Sequence, residues 1–304
     1  MRSAVAALTT GALCLAPLLA VPAPARAQPT VAIPALPAGG AQAPERRPLF
    51  EIGVFGGGGW VPDYPAAGQN HWRVLPAPYL IYRGEVLRSS DRGVRGRLFR
   101  NGDLEFSLSF NAAFGARSRD NRAREGMPDI DYLGEVGPAL RYVAWRGDGG
   151  RRRITLELPV RAVFSTDLSD IDFRGFTAAP EAAFEHVGLF HPAARTRVSI
   201  GPVFASGLLS DYFYRVEDRY ARPGRPAYDA SGGYLGTRLT FSHRRPLTER
   251  ISVGGGGRVE NFTGAANADS PLYKREWNLT LFAGVSFSLY RSERTVDSAS
   301  EPFD

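Results

Sequence analysis

Hydrophobic and polar residues alternate with a period of two along several long stretches of the chain. The clearest stretches lie near 103–114, 152–164 and 276–290. Successive side chains of a β-strand point to opposite faces, so each stretch predicts a strand with one apolar and one polar face. No stretch predicts an amphipathic helix of about 12 residues or more. The pattern therefore indicates an all-β fold.

The length of these stretches favours membrane strands over soluble ones. Strands of soluble proteins usually run about 5–6 residues, whereas a tilted transmembrane strand needs about 9–11. Trp145, Trp277 and Tyr290 lie near the ends of the stretches, where a bilayer interface favours aromatic residues. A soluble β-sandwich explains the alternation equally well but the strand length less well. We therefore expect a transmembrane antiparallel up-and-down β-barrel.

Twelve segments qualify as strands, and an even number places both chain ends on the same side of the membrane. Short connections alternate with longer ones, which is typical of outer-membrane barrels. The segments between 84 and 100 carry the weakest signal, so ten strands is the alternative. The candidate strands lie near 50–58, 74–83, 86–90, 93–100, 103–114, 132–145, 152–164, 173–188, 196–207, 232–243, 250–261 and 276–290.

The two ends of the chain differ from its central region. Residues 1–27 combine Arg2, an apolar run and a small-x-small pattern at 25–27, which is the form of a cleaved secretory signal peptide. Residues 28–48 are rich in Pro, Ala and Gly and predict an extended periplasmic tether. We expect export to a Gram-negative outer membrane. The predicted parts are a signal peptide at 1–27, a tether at 28–48, a barrel at 49–291 and a polar C-terminal tail at 292–304.

Composition fits this arrangement once the alternation is known. The 304 residues are 43% hydrophobic with a mean hydropathy of −0.21, which excludes a bundle of transmembrane helices. Cys14 is the one cysteine and lies in the predicted signal peptide, so no disulfide is expected. The net charge of +6 comes from arginines scattered along the chain, without the clustered basic patch of a nucleic-acid surface. We expect outer-membrane lipid, and no nucleic acid, beside these arginines.

Several short motifs, in order along the chain, resemble those of a known family. They are PDYP at 62–65, LPAPYLIYRG at 75–84, RDN at 119–121, GMPDID at 126–131, SDYFY at 210–214, PGRPAY at 223–228, GG at 232–233 and DSPL at 269–272. Over residues 50–291 the chain resembles the MipA/OmpV family, the MltA-interacting proteins of Gram-negative outer membranes. The resemblance implies an outer-membrane β-barrel and assigns no catalytic residue.

The resemblance also implies a function. One member of the family is described as a scaffold that links a lytic murein transglycosylase to a bifunctional penicillin-binding protein, and other members are called adhesins or surface antigens. We therefore expect a non-enzymatic structural or scaffolding protein whose periplasmic partners are murein hydrolase or synthase proteins. The alternatives are a small passive pore, which a polar lumen would suit, a surface adhesin and, with less support, a lipid-modifying hydrolase.

The motif residues at strand ends and in loops are candidates for an interaction site that binds sugar chains or a partner. Turn formation and anchoring at the membrane interface explain the same residue types and are the preferred interpretation. Histidines 71, 186, 191 and 243 show no catalytic or metal spacing, and glycine runs 56–59 and 254–257 lack the Lys of a phosphate loop. We predict no catalytic, cofactor or metal site. The candidate interaction residues are Pro62, Asp63, Tyr64, Asp129, Asp131, Asp211, Tyr212, Phe213, Tyr214, Ser270 and Pro271.

Overall fold

The computed structural model describes residues 46–82, 87–90 and 93–297, so the predicted signal peptide and most of the predicted tether lie outside the described residues. One α-helix, α1, spans Gly207–Tyr214. Within the described ranges, no helix is long and apolar enough to cross a membrane. The strands are β1 Arg46–Pro48, β2 Phe50–Pro62, β3 Asn70–Tyr82, β4 Leu87–Ser90, β5 Gly93–Asn101, β6 Leu104–Ala113, β7 Tyr132–Gly147, β8 Arg152–Thr166, β9 Ile171–Ala178, β10 Glu181–Val187, β11 Arg195–Ala205, β12 Gly233–Pro246, β13 Ile251–Asn261, β14 Trp277–Arg291 and β15 Thr295–Asp297.

Strands β2 to β14 form one antiparallel sheet that follows the chain order and closes on itself. The first long strand, β2, pairs with the last, β14, from Glu51 opposite Arg291 to Trp60 opposite Leu281. Strands β3 and β4 stand at the two ends of the sheet order, and they are consecutive in the chain and lie in contact. The molecule is therefore an up-and-down β-barrel, which confirms the predicted fold class.

The continuous strand predicted at 173–188 is wrong, because two strands occupy this region. Strands β9 and β10 both pair with β8 and β11 but are separated by Ala179 and Pro180. Pro180 has no N–H group to donate across the sheet. Gly175 has a φ of +100° beside a register shift in β8. Since β9 and β10 share one strand position, the described barrel has twelve positions, as the sequence predicts.

The barrel is apolar outside and polar inside. On β8, the outward-facing Leu156 and Leu158 are exposed, whereas the inward-facing Thr155 and Glu157 are buried. An apolar band between two aromatic girdles is the surface of a membrane-spanning barrel. The girdle residues are Trp72, Tyr132 and Trp277 at one end of the barrel and Trp145 and Tyr290 at the other.

The two ends of the barrel differ in the length of their connections. One end has short turns, including 102–103, 148–151 and 247–250, and the other has the long connections. At the short-turn end β1 pairs with β15, with Arg47 opposite Val296. The last residues of the predicted tether and part of the predicted tail thus form a two-stranded ribbon. We expect the ribbon to lie on the periplasmic side, because short turns of bacterial transmembrane barrels face the periplasm.

Candidate functional site

The four long connections at one end of the barrel pack together into a structure that we call the loop cap. It comprises residues 63–69, 114–131, 206–232 and 262–276 and includes α1. Each connection contributes buried apolar side chains to a common core; examples are Ala67, Ala116, Phe213 and Leu272. The loop cap therefore has its own hydrophobic core, formed by residues far apart in the sequence.

Two tyrosines join three of the connections at the centre of the loop cap. The Tyr64 hydroxyl donates to the carbonyl of Leu272 at 2.8 Å, and the Tyr214 hydroxyl donates to the carbonyl of Pro65 at 2.9 Å. The two rings meet edge to face with their centroids 6.5 Å apart. Burial raises the pKa of both hydroxyls above the ordinary tyrosine value. Both side chains are therefore neutral hydrogen-bond donors well into the alkaline range.

Asp63 is the buried carboxylate of the loop cap. It accepts hydrogen bonds from Nη2 of Arg73 at 3.0 Å and from Nδ2 of Asn121 at 2.8 Å. Its Oδ1 atom lies 2.7 Å from Nδ1 of His71, which is the second residue of β3. A buried charge needs such partners, so Asp63 fixes the first connection against the second.

Two arginines bind backbone carbonyl groups between the connections. Nη1 of Arg124 donates to the carbonyl of Phe213 at 3.0 Å. Nη1 of Arg225 donates to the carbonyl of Ala123 at 3.0 Å, and its Nη2 donates to the carbonyl of Tyr220 at 2.8 Å. Burial lowers the pKa of Arg124, although the guanidinium stays charged at neutral pH because its ordinary pKa is so high. Both arginines act as cross-links within the loop cap.

Helix α1 carries the SDYFY motif, and its side chains contact the second connection, strand β9 and a later part of its own connection. The Tyr212 hydroxyl accepts a hydrogen bond from the backbone N–H of Asp131 at 2.7 Å. The guanidinium of Arg174 lies 4.4 Å above the Tyr212 ring. The Asp211 carboxylate accepts a hydrogen bond from the backbone N–H of Ala230 at 3.2 Å. The polar groups of this motif thus bind the loop cap itself.

The structure brings the predicted interaction residues together, but most of them face into the loop cap. Asp129 is exposed, and its carboxylate accepts a hydrogen bond from the backbone N–H of Ser118 at 2.6 Å. Binding of a sugar chain or partner by these residues stays a prediction. The buried members are Asp63, Tyr64, Phe213, Tyr214 and Ser270, and the half-buried members are Pro62, Asp131, Asp211, Tyr212 and Pro271.

The loop cap fills the mouth of the barrel. Its hydrophobic core includes inward-facing side chains from β7, β8, β11 and β12, namely Leu133, Val163, Val203 and Leu235. On β14, Nδ2 of Asn278 donates to the carbonyl of Ala67 at 3.0 Å. Because the loop cap packs against side chains that line the lumen, it occupies this end of the lumen instead of standing above it.

Below the loop cap, the half of the lumen formed by β7 to β11 is filled with ion pairs. The inward-facing side chains there are largely buried, from Thr155, which is 0% exposed, and Glu185, which is 3% exposed, to Glu181, whose side chain is 28% exposed. Buried charges of both signs in alternation give a packed, charge-balanced wall. The pairs are Arg153–Glu185, Arg197–Glu185, Arg197–Glu181, Arg141–Glu157 and Arg161–Glu135.

The opposite half of the lumen carries glycines and aromatic rings, and we call it the glycine wall. An added Cβ atom at Gly284 would lie 2.6 Å from the Phe55 ring, and one at Gly256 would lie 2.8 Å from the Phe282 ring. Solvent reaches this wall, since Phe55 is 38% exposed although it faces inward. The inward-facing glycines of β2, β13 and β14 are Gly53, Gly57, Gly59, Gly254, Gly256 and Gly284.

Sequence reasoning did not single out Phe55, Phe282 or Arg258, which all line the glycine wall. The available signal was the alternation itself, because Arg258 follows the glycine run 254–257 at a lumen-facing position. Within the part of the chain that the structure describes, no group of three or more His, Cys, Asp or Glu residues is placed to hold a metal ion. The glycine wall presents arginine, hydroxyl groups and aromatic rings to the lumen.

Several solved structures of outer-membrane proteins are similar to this chain at low sequence identity. An outer-membrane channel from Pseudomonas putida F1 is 13% identical, with a TM-score of 0.44 over 82% of this chain and 99% of that one. A bacterial polysaccharide outer-membrane secretin is 11% identical, with a TM-score of 0.38 over 81% and 99% of the two chains. The NanC porin is 10% identical, with a TM-score of 0.33 over 79% and 100%. No curated protein matches the sequence.

The family comparison covers most of the barrel. The family model described as MltA-interacting protein MipA matches residues 53–289, which begin within β2 and end within β14. This range includes the loop cap, both lumen walls and every motif quoted above. The chain therefore belongs to the MltA-interacting protein MipA family, and it is an outer-membrane β-barrel protein.

Proposed function

We propose that the protein is a non-catalytic outer-membrane anchor that binds murein-remodelling enzymes at its periplasmic end. The family takes its name from such an interaction. The main support for the proposal is the burial of motif residues such as Tyr64, Tyr214 and Ser270 in the loop cap. These residues stabilise the outer end of the barrel, which leaves partner binding to the opposite end.

The periplasmic end offers two features that suit a protein partner. The ribbon of β1 and β15 has edges at which another strand can add. In the turn between β10 and β11, Phe190 is 88% exposed and has a φ of +65°, an unusual backbone for an aromatic residue. Leu247, in the turn after β12, is also exposed. Exposed apolar groups and a strand edge at the same end of the barrel support binding at this end.

Biolayer interferometry tests this proposal. It measures binding of the mature protein, in detergent, to a lytic murein transglycosylase and to a bifunctional penicillin-binding protein. We expect deletion of residues 295–304, which removes β15, to weaken binding by about tenfold or more, the scale of one lost set of anchoring contacts. Arg219→Glu, on the exposed face of the loop cap, serves as the control and should leave binding unchanged. Absence of binding by the unmodified protein, or sensitivity to Arg219→Glu alone, would contradict the proposal.

A second candidate function is a small passive pore, and the solvent-accessible glycine wall is the observation that favours it. Conduction requires a continuous aqueous path, whereas the loop cap packs against inward-facing residues of β7, β8, β11 and β12. Single-channel recording in planar bilayers separates the two functions. Steady conductance of the unmodified protein would support the pore, and an electrically silent barrel would remove it.

A further inference from the structure

Arg258 is an inward-facing cation that takes part in none of the ion pairs described above. It faces inward on β13, opposite Thr240 of β12 and Thr280 of β14. The neighbouring Arg238 is neutralised by Glu260, to which its Nε donates at 2.9 Å. Among the residues that the structure describes, Arg258 has neither an ion-pair nor a hydrogen-bond partner, and its Nε atom is buried. A guanidinium inside a protein is normally paired, so Arg258 has the capacity to bind an anion.

Two aromatic rings lie next to Arg258 on the glycine wall. Phe282 follows Thr280 by two residues on β14 and lies opposite Gly256. The Phe55 ring lies over Gly284, one inward position further along β14. These glycines have no side chains, which makes room for both rings on the wall. Phe55 is 38% exposed and Phe282 is half-buried, so part of each ring is accessible from the lumen. The accessible part of an aromatic ring favours contact with a ligand face that carries C–H groups.

Hydroxyl groups complete the surroundings of Arg258. Thr240 and Ser242 face inward on β12, opposite Arg258 and Gly256, and both are partly exposed. They can donate to and accept from the hydroxyl groups of a ligand. Solvent also reaches Ser286 of β14 and Arg244 of β12, which lie nearer to the short-turn end. Since the loop cap fills the other end, the route to Arg258 leads from the periplasm.

We propose that the glycine wall binds an acidic sugar. The carboxylate of the sugar binds the Arg258 guanidinium, the apolar face of its ring stacks on Phe282 and Phe55, and its hydroxyl groups bind Thr240 and Ser242. A neutral sugar lacks the charge that Arg258 needs, and an aromatic acid lacks the hydroxyl groups. This site is independent of partner binding at the ribbon.

Isothermal titration calorimetry of the mature protein in detergent, with glucuronate as the probe, tests the proposal. We expect Arg258→Gln to weaken glucuronate binding by about tenfold or more, as for loss of a charged hydrogen-bonding partner. Arg245→Gln is the matched control, because Arg245 is an exposed residue of the same strand as Thr240. It should change the affinity less than about twofold. Glucose should bind at least about tenfold more weakly than glucuronate, because it has no carboxylate to pair with Arg258.

A second variant keeps the test decisive if Arg258→Gln fails to fold, as judged by loss of heat-modifiable migration in detergent gels. Phe282→Leu removes the ring face but keeps an apolar side chain, and it should weaken glucuronate binding about threefold to tenfold. Absence of glucuronate binding, or binding that neither Arg258→Gln nor Phe282→Leu changes, would overturn the proposal. Benzoate binding as tightly as glucuronate would overturn the assignment to a sugar.

Discussion

At the scale of single residues, Tyr214 shows how the loop cap is held together. Its side chain is 1% exposed, its hydroxyl donates to Pro65, and its own carbonyl accepts a hydrogen bond from the Ser270 hydroxyl at 2.8 Å. Tyr214→Phe keeps the ring but leaves the Pro65 carbonyl without its donor. We expect a loss of about 1–3 kcal/mol in the free energy of unfolding, measured by urea titration in detergent. The exposed, outward-facing Tyr132→Phe is the control, and an equal loss there would refute the role of Tyr214.

The buried tyrosines also predict a dependence on alkaline pH. Burial raises the pKa of Tyr64 and Tyr214 above the ordinary value of 10.0. A raised pKa contributes stability that is complete below the unfolded value and is lost as the pH rises through the folded one. Absorbance titration of tyrosinate should therefore show a late-titrating fraction that coincides with opening of the loop cap. This fraction should shrink but persist in the Tyr64→Phe, Tyr214→Phe double variant, because burial also raises the pKa of Tyr212, Tyr228 and Tyr273. Titration of all tyrosines near pH 10, or an unchanged late fraction in the double variant, would contradict the role of Tyr64 and Tyr214.

The sequence identified Asp63, Tyr64 and Tyr214 as candidates, but it could not supply their partners. Tyr64 and Leu272 are 208 residues apart, and Asp63 and Asn121 are 58 apart. Residue type and local spacing indicate turns and strand ends. Which side chains of these connections meet depends on how the connections fold into the mouth of the barrel, and the local sequence does not indicate this.

At the scale of elements, β2 contains a glycine that faces outward into open space and a glycine that faces inward against an aromatic ring. An added Cβ atom at Gly56 would meet nothing within 4 Å, whereas one at Gly57 would meet the Phe55 ring. We expect Gly57→Val to lower the free energy of unfolding by about 1–3 kcal/mol through overpacking. Gly56→Val should be neutral or slightly stabilising, because valine suits an outward-facing strand position. Urea titration of both variants in detergent measures the difference, and equal effects would show that the glycine wall is not packed as described.

Strand positions were largely predictable, because alternation is a local property of the sequence. The break at Pro180 was also visible locally, since proline cannot donate within a sheet, but the alternation on either side of it hid the interruption. The pairing of Arg153 with Glu185 was not predictable in the same way. It depends on the register between β8 and β10, and a shift of one residue would turn every side chain to the other face.

At the scale of the whole molecule, the barrel has a filled outer mouth and a lumen that is charged on one side and aromatic on the other. Loosening the loop cap should open a path through it. We expect the Arg124→Ala, Arg225→Ala double variant to lose cross-links to Phe213, Ala123 and Tyr220 and to conduct in planar bilayers. The unmodified protein should be silent or conduct at least about tenfold less.

The control for this experiment is Arg219→Ala, which removes an exposed arginine that pairs with Glu217 at 2.9 Å. It should leave the conductance unchanged, because surface ion pairs contribute little to stability. Equal conductance of the unmodified protein and the double variant would show that the loop cap does not obstruct the lumen.

We infer that the barrel crosses the outer membrane with its loop cap outside and its short turns and ribbon in the periplasm. With the one cysteine confined to the predicted signal peptide, single-cysteine variants can test this claim without background. Arg219→Cys lies in the loop cap and Glu249→Cys in the turn between β12 and β13, and both positions are exposed. With a membrane-impermeant maleimide dye too large for general porins, we predict labelling of Arg219→Cys in intact cells and of Glu249→Cys only after the outer membrane is permeabilised. Labelling of Glu249→Cys in intact cells, or protection of Arg219→Cys there, would contradict the account.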